Sequence, residues 1–364
     1  MRVALVHDVL NQLGGAERVL ANFLEIWPDA TIFTAFYDEQ KTQGQFARFT
    51  KKVSFLNNLP LSHIHPRLFV TLLPWAFESF NFNDFDVVIS DSSAFAKFAK
   101  PKNKLHISYI HTPTRFLWIE PEYLDKQRYP YLFRLAGKFT LPWLRRKDYK
   151  AAQRPNFLIA NSVTVQDRIK NFYHRESVVI PPPVDTLFYQ TMGIKKDYFL
   201  IVTRLEPYKK VDIIIEAFNR LGWPLKIVGS GTIIDDLKKI AQGNVEFLGR
   251  IPETDLKRYY AEAKAFVYAT EEDAGIALLE AQSAGTPVVA YGKGGALESV
   301  IADKTGEFFY DQTPESLITA LQNFDASHYS REDLRNNALR FSKQKFQAQI
   351  RDFVEEKYRE YMNK

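Results

Sequence analysis

Val3-Ala4-Leu5-Val6-His7-Asp8, then Gly14-Gly15-Ala16-Glu17-Arg18, then Val19-Leu20-Ala21-Asn22-Phe23-Leu24: a short apolar run, a glycine turn and a run with helical spacing follow in order. An apolar run of this length bounded by turn residues predicts a buried strand, and the glycines open the helix that leaves it. This is the first strand, loop and helix of a doubly wound α/β sheet. Similar runs at Thr31 to Phe36, Val87 to Ser90, His106 to Ile110, Phe157 to Ala160 and Val178 to Ile180 predict further buried parallel strands.

Pro181-Pro182-Pro183-Val184-Asp185 ends that pattern, because consecutive prolines lack backbone donors and favour an extended chain. A second series follows at Tyr198 to Val202, Leu225 to Val228, Val245 to Phe247, Ala265 to Tyr268 and Val288 to Ala290, interleaved with helical stretches at Val211 to Leu221 and Ile233 to Ala241. The expected organisation is an N-terminal domain over 1–187 and a C-terminal domain over 188–342. Beyond them, Phe346, Ile350, Phe353, Val354 and Tyr361 recur at helical spacing among charged residues, an amphipathic terminal helix over about 343–364.

The length of 364 residues fits two domains of this kind. The longest uncharged apolar stretch, Leu68 to Phe77, contains Pro74 and is about half the ~20 residues that span a bilayer. The first residues run straight from Arg2 into the strand with no signal-peptide pattern, so a cytoplasmic location is expected. The absence of cysteine excludes disulfides, thiolate metal sites and cysteine nucleophiles. Net charge is +5 but uneven: residues 1–185 hold 24 Lys and Arg against 17 Asp and Glu, or +7, and residues 186–364 hold 24 against 26, or −2. The first half suits an anionic partner, whether nucleic acid, a phosphorylated small molecule or an acidic lipid surface.

The stretch richest in chemistry reads Glu271-Glu272-Asp273-Ala274-Gly275-Ile276-Ala277-Leu278-Leu279-Glu280-Ala281, continuing through Gly285-Thr286-Pro287-Val288-Val289 to Gly294-Gly295-Ala296-Leu297-Glu298. Seven residues separate Glu272 from Glu280. A helix starting at Gly275 offers free amides to an anion, and Glu280 lies one and a half turns in, where a carboxylate accepts two ribose hydroxyls. Glu272 with Glu280 also reads as a solvated acidic helix start. No Walker A, Gly-x-Gly-x-x-Gly or His-Glu-x-x-His pattern accompanies it.

With its surroundings, this stretch resembles the glutamate, seven residues, glutamate motif of retaining glycosyltransferases of family 4, whose fold is GT-B. The resemblance extends in order through Gly14-Gly15, His111 within Tyr109 to Trp118, Asn161-Ser162, Pro182 to Asp185, and Val202-Thr203-Arg204-Leu205-Glu206-Pro207-Tyr208-Lys209-Lys210. It implies two Rossmann-like domains facing across a cleft, the terminal helix returning to the first. It also implies transfer of a hexosyl group, mannose from GDP-mannose first among candidates, to a glycan or polyprenyl-diphosphate-linked glycan. In that scheme Arg204 and Lys209 neutralise the donor diphosphate, His111 and Glu272 position the sugar, and Glu280 positions the nucleoside. Gly14, Gly15, Asp273, Ala274, Gly275 and Ile276 approach the donor, while Arg115 and Asn161 face acceptor or phosphate. The family's Gly-Phe-Gly after the first glutamate is Asp273-Ala274-Gly275 here, and its glycine after the lysine is Lys210.

Asp84-Phe85-Asp86 has the spacing with which metal-dependent sugar transferases hold a divalent ion, but it enters a strand of the first domain. No metal and no cofactor is expected. Residues 128–147 interleave bases with aromatics, which suits an anionic membrane surface, here the inner face of the cell membrane, and equally suits a basic helix packed on the sheet. His63 to Phe77 is assigned to the same face. Two other functions fit the same architecture: a nucleotide-sugar epimerase, and a non-catalytic sugar-nucleotide or lipid-binding subunit. No RNA-binding signature accompanies the basic half, so nucleic acid is not an expected partner.

Overall fold

The computed structural model describes residues 1–60, 66–119, 131–190 and 193–363. It divides into Met1–Pro181 with Phe346–Lys364, and Pro182–Lys345, where the sequence suggested boundaries after 187 and 342. The first unit is built on seven strands: β1 Val3–His7, β2 Thr31–Thr34, β3 Lys51–Val53, β4 Val87–Ser92, β5 Leu105–Ile110, β6 Phe157–Ala160 and β7 Val178–Val179. Their order is β3-β2-β1-β4-β5-β6-β7 with every pair parallel. Both faces are buried: Val3, Leu5 and Ile32 point into one apolar cluster, Ala4, Val6 and Phe33 into another. Such strands need no polar alternation, which is why they read as continuous apolar runs. The terminal helix Lys343–Met362 packs on this unit through Phe346, Ile350 and Val354.

The second unit repeats the plan with β8 Phe199–Val202, β9 Leu225–Val228, β10 Val245–Gly249, β11 Ala265–Tyr268, β12 Val288–Tyr291 and β13 Gly306–Phe309. The order is β10-β9-β8-β11-β12-β13, again all parallel. In each sheet the direction of winding reverses once, between β1 and β4 and between β8 and β11. Loops at the carboxyl ends of the strands diverge there and leave a place for ligands. Each unit is therefore a Rossmann-like α/β domain. The edge strands β3 and β13 were not expected. Lys51-Lys52-Val53 and Gly306-Glu307-Phe308-Phe309 are too short and too polar to carry a strand signal, and pairing with a buried neighbour makes them strands.

Within the first unit, Asp148 on the helix Tyr131–Ala152 is wholly buried and forms an ion pair with buried Lys97 at 2.7 Å. It also accepts hydrogen bonds from Thr114, Trp118 and Tyr173 at 2.7 to 2.8 Å. The cluster fastens that helix to the segment after β5. Lys97→Met strands the carboxylate, and we expect a loss of about 3–5 kcal/mol. Adding Asp148→Asn should recover part of it, as read by urea unfolding of the full chain.

Candidate active site

In the second unit the loops after β8 and β11, the strands at the reversal point, bring the predicted cations and acids together. Pro207–Lys209 is a single 3-10 turn, and it delivers the Lys209 ammonium to Glu272 at 2.5 Å and to the Tyr268 hydroxyl at 2.9 Å. Thr270 donates to the Lys209 carbonyl at 2.7 Å and fixes the turn from below. Burial alone would lower the Lys209 pKa, but Glu272 and the Tyr268 and Tyr208 hydroxyls outweigh it and hold the ammonium above its ordinary value. An ammonium has three N–H donors, and two of them are committed to Glu272 and Tyr268. Arg204 is exposed beside it and donates to Tyr208 at 3.0 Å. Lys210, which follows, has φ 54°, a left-handed conformation that explains why glycine suits the position.

Glu272, Asp273 and Ala274 lie on a loop clasped backbone to backbone with Gly294-Gly295. Glu272 bridges Gly294, and the Gly295 amide donates to the Glu272 carbonyl at 2.7 Å. A Cβ at Gly294 would lie 2.5 Å from the Glu272 carbonyl oxygen, and one at Gly295 2.7 Å from that of Asp273. Gly275, at φ 68°, then caps the helix Ile276–Ser283: its carbonyl accepts from the Leu278 and Leu279 amides at 3.0 and 3.3 Å, while the Ile276 and Ala277 amides at the helix start have no acceptor within the helix. Glu280 is 4% exposed, and its carboxylate accepts from the Tyr260 hydroxyl at 2.9 Å. It is thus a buried, anchored acid, with Ile276 half-buried one turn before it.

In the first unit the reversal point carries a second cluster. His7 closes β1 and lies in register with Asp91 of β4. The Asp91 carboxylate contacts His7 Nδ1 at 2.8 Å with one oxygen and His111 Nε2 at 2.6 Å with the other. Glu17, in the helix that Gly14 caps, stands 3.8 Å from His7 Nε2. Burial by itself would lower the His7 pKa; bonds to Asp91 and Glu17 override it and raise the imidazole to about 10. Asp91 and Glu17, against the effect of burial, are held below the usual carboxylate range by the histidines they face. Asp8 next door accepts from the backbone amides of Ser93, Ala94, Phe95 and Ala96 at 2.5 to 2.8 Å, pinning the loop after β4.

The predicted residues of the first domain divide. His111 belongs to this cluster, Gly14 lies against Glu17, and Gly15 opens the helix that carries Glu17. Asn161 is buried, and its amide donates to the His111 carbonyl at 2.9 Å, so it holds the loop. Arg115 begins the short helix Arg115–Trp118 directly after that loop. Asp84 and Asp86 precede β4 at the opposite end of the sheet, where Asp86 accepts from the Arg2 amide at 2.7 Å. Of the segment 128–147, residues 128–130 lie outside the described residues, as do 63–65 of the stretch His63 to Phe77. Sequence reasoning missed Asp91, His7 and the turn Gly229-Ser230-Gly231. A Cβ at Gly231 would lie 2.1 Å from the Leu205 carbonyl, so this turn lies flat against the Arg204 loop. The signals were there: a charged residue closing an apolar run, and a Gly-x-Gly directly after a strand.

Residues 13–187 match the family described as Glycosyltransferase Family 4, and residues 190–341 the one described as glycosyl transferases group 1. An uncharacterised glycosyltransferase of Methanocaldococcus jannaschii is 31% identical over 163 residues, 42% of this chain and 42% of that protein. A GDP-mannose-dependent alpha-(1-6)-phosphatidylinositol monomannoside mannosyltransferase of Mycobacterium tuberculosis is 31% identical over 35% of this chain and 41% of its own length. The chain therefore aligns with about two fifths of these relatives. The O-antigen chain mannosyltransferase B of Escherichia coli is 32% identical over 25% of this chain and 28% of its own. Among solved structures, HepE of Anabaena in complex with UDP-glucose superimposes with a TM-score of 0.74 at 20% identity, covering 98% of this chain and all of that one. Sucrose-phosphate synthase of Thermosynechococcus elongatus gives 0.76 at 14% identity over 98% and 99%.

The His7 cluster makes stability depend on pH with a defined sign. The folded-state pKa lies above the free value of 6.5, so the cluster's contribution is complete below about pH 6.5 and is lost as pH rises toward 10. Thermal melts of wild type and His7→Gln should differ most near pH 6 and converge by about pH 10. A constant difference across that window would contradict a protonated His7.

Proposed function

The chain belongs to the family 4 glycosyltransferases, and on that premise we propose that it moves a hexosyl group from a nucleotide sugar to a hydroxyl of a glycan or lipid-linked glycan, with retention at the anomeric carbon. The observation that carries this reading is the Arg204, Lys209 and Glu272 constellation at the sheet reversal, beside the open helix start at Gly275. Lys209 and Arg204 meet the donor diphosphate as charge builds on the leaving oxygen, where a fixed cation lowers the barrier most. Glu272 and His111 orient the hexose, and Glu280 the ribose. The glycosidic C–O bond breaks, the leaving phosphate oxygen takes the acceptor's proton, and the new C–O bond forms on the same face. No protein base is required. The two cations supply the positive charge that other sugar transferases take from a divalent ion, so the reaction is metal-independent.

Mannose from GDP-mannose is the proposed donor, supported by the names of the mycobacterial and E. coli relatives; the UDP-glucose bound by HepE makes a uridine nucleotide the competitor. Contact with the inner face of an anionic membrane is also proposed. Trp75 is 46% exposed and lies 5.6 Å from the ring of Trp143, over which Lys147 extends, a basic and aromatic face suited to lipid headgroups. Among the described residues no helix is long and apolar enough to cross a membrane.

Thermal melts with GDP-mannose, UDP-glucose and ADP-glucose, with and without EDTA, test donor choice: a ligand at 100 times its Kd stabilises by about 2.7 kcal/mol. GDP-mannose should stabilise, and EDTA should not matter. A shift seen only with metal would contradict the metal-free reading. Binding without turnover of any acceptor or of water would favour the non-catalytic subunit. Lys209→Ala and Glu272→Ala should each lower kcat about 100-fold or more at saturating donor, and unchanged rates would contradict the assignment.

A further inference from the structure

Two ionic clusters lie buried among the described residues of the first domain, and both end on the segment 111–118. One is the Lys97–Asp148 pair, which grips Thr114 and Trp118. The other is the chain Glu17, His7, Asp91, His111, in which His111 is the most exposed, at 13% of its side chain. The sheet does not need this second cluster. The β1–β4 register is already made by backbone pairing from Val3 to Asp91, and apolar side chains at positions 7 and 91 would fill the core without desolvating charge. A second buried histidine in the same sheet shows the contrast. Among the described residues the His106 ring hydrogen-bonds Ser90 alone, and burial pushes it down to about 3, so it stays neutral. His7 is charged because two carboxylates were placed beside it.

We propose that Asp91, braced by His7 and Glu17, is a positioning residue that fixes the His111 ring in the tautomer whose Nδ1 accepts a hydrogen bond from a hydroxyl of the transferring sugar. The inference rests on the reading above that His111 touches the sugar, and adds which nitrogen does so and what sets it. A carboxylate oxygen 2.6 Å from Nε2 can only accept, so the proton sits on Nε2. In that tautomer the lone pair is on Nδ1. His7 cannot give way, because its own Nδ1 is tied to the second Asp91 oxygen and its Nε2 faces Glu17. The ring is held edge-on by Tyr109, 5.3 Å between centroids at 71°, and its backbone carbonyl by Asn161. The brace also joins two stretches distant in sequence, since Glu17 sits on the helix that the Gly14-Gly15 turn opens.

Nitrogen-15 histidine spectra of the wild-type chain, assigned with His7→Gln and His111→Asn, test the tautomer without any substrate. The expected spectrum has His111 protonated at Nε2 and His7 at both nitrogens around pH 7.5. His111 protonated at Nδ1 would overturn the proposal. On adding GDP-mannose or UDP-glucose, whichever binds, the His111 Nδ1 resonance should move, while GDP or UDP alone should leave it in place. Movement with the nucleotide alone would overturn the sugar contact. If neither sugar nucleotide binds, the donor reading fails with it, whereas the tautomer result stands on its own.

A kinetic cycle supplies the second readout. Asp91→Asn should lower kcat about 100-fold with little change in Kd for the free nucleoside diphosphate. In a His111→Asn background the same substitution should have almost no further effect, because Asp91 acts through that ring. Equal losses in both backgrounds would mean that Asp91 only holds the fold, and would overturn the proposal. Circular dichroism and melting of each variant identify a loss that is merely unfolding.

Discussion

Every strand in both sheets is parallel, and much of the molecule follows from that constraint. Parallel neighbours cannot be joined by tight turns, so each strand is followed by a crossover, and the sheets are buried on both faces. The carboxyl ends then carry the diverging loops, and the single reversal of winding in each sheet opens a gap between two of them. The charged clusters sit at those gaps. Lys209 and Glu272 follow β8 and β11; His7, Asp91 and His111 follow or close β1, β4 and β5. Asp84 and Asp86 are at the other ends of the strands.

The two domains handle charge in different ways. In the second domain a lysine and a glutamate satisfy each other, in a turn braced by Thr270 and a loop clasped by Gly294 and Gly295. The glycines there serve close approach of backbones, since any side chain would meet a carbonyl oxygen. In the first domain the charges are sunk into the core and speak to the surface through one ring. Burying ions is expensive, and it is concentrated where a side chain must be held still.

Much of this was legible in the sequence. Apolar runs at Val3 to Val6, Leu225 to Val228 and Ala265 to Tyr268 announced buried strands because two-sided burial leaves no other pattern. Glu272 and Glu280, Arg204 and Lys209, and His111 were visible because the stretches that hold them, directly after apolar runs, resemble the motifs of a known family. The edge strands at Lys51 to Val53 and Gly306 to Phe309 were not, since pairing rather than composition makes them strands. Asp91 was hidden because a single acid closing a strand has no partner in sequence: His7 lies 84 positions away and His111 lies 20. Lys97 and Asp148 were silent for the same reason.

The proposed transfer proceeds with retention and is carried out by fixed charges rather than by a protein base or a metal. The most direct measurement is the proton NMR spectrum of hexose released from the donor in the absence of acceptor, recorded before mutarotation. Retention predicts that an α-linked donor yields the α anomer first, with the β form growing in later. The β anomer appearing first would mean inversion, and would contradict the roles proposed for Lys209, Glu272 and His111.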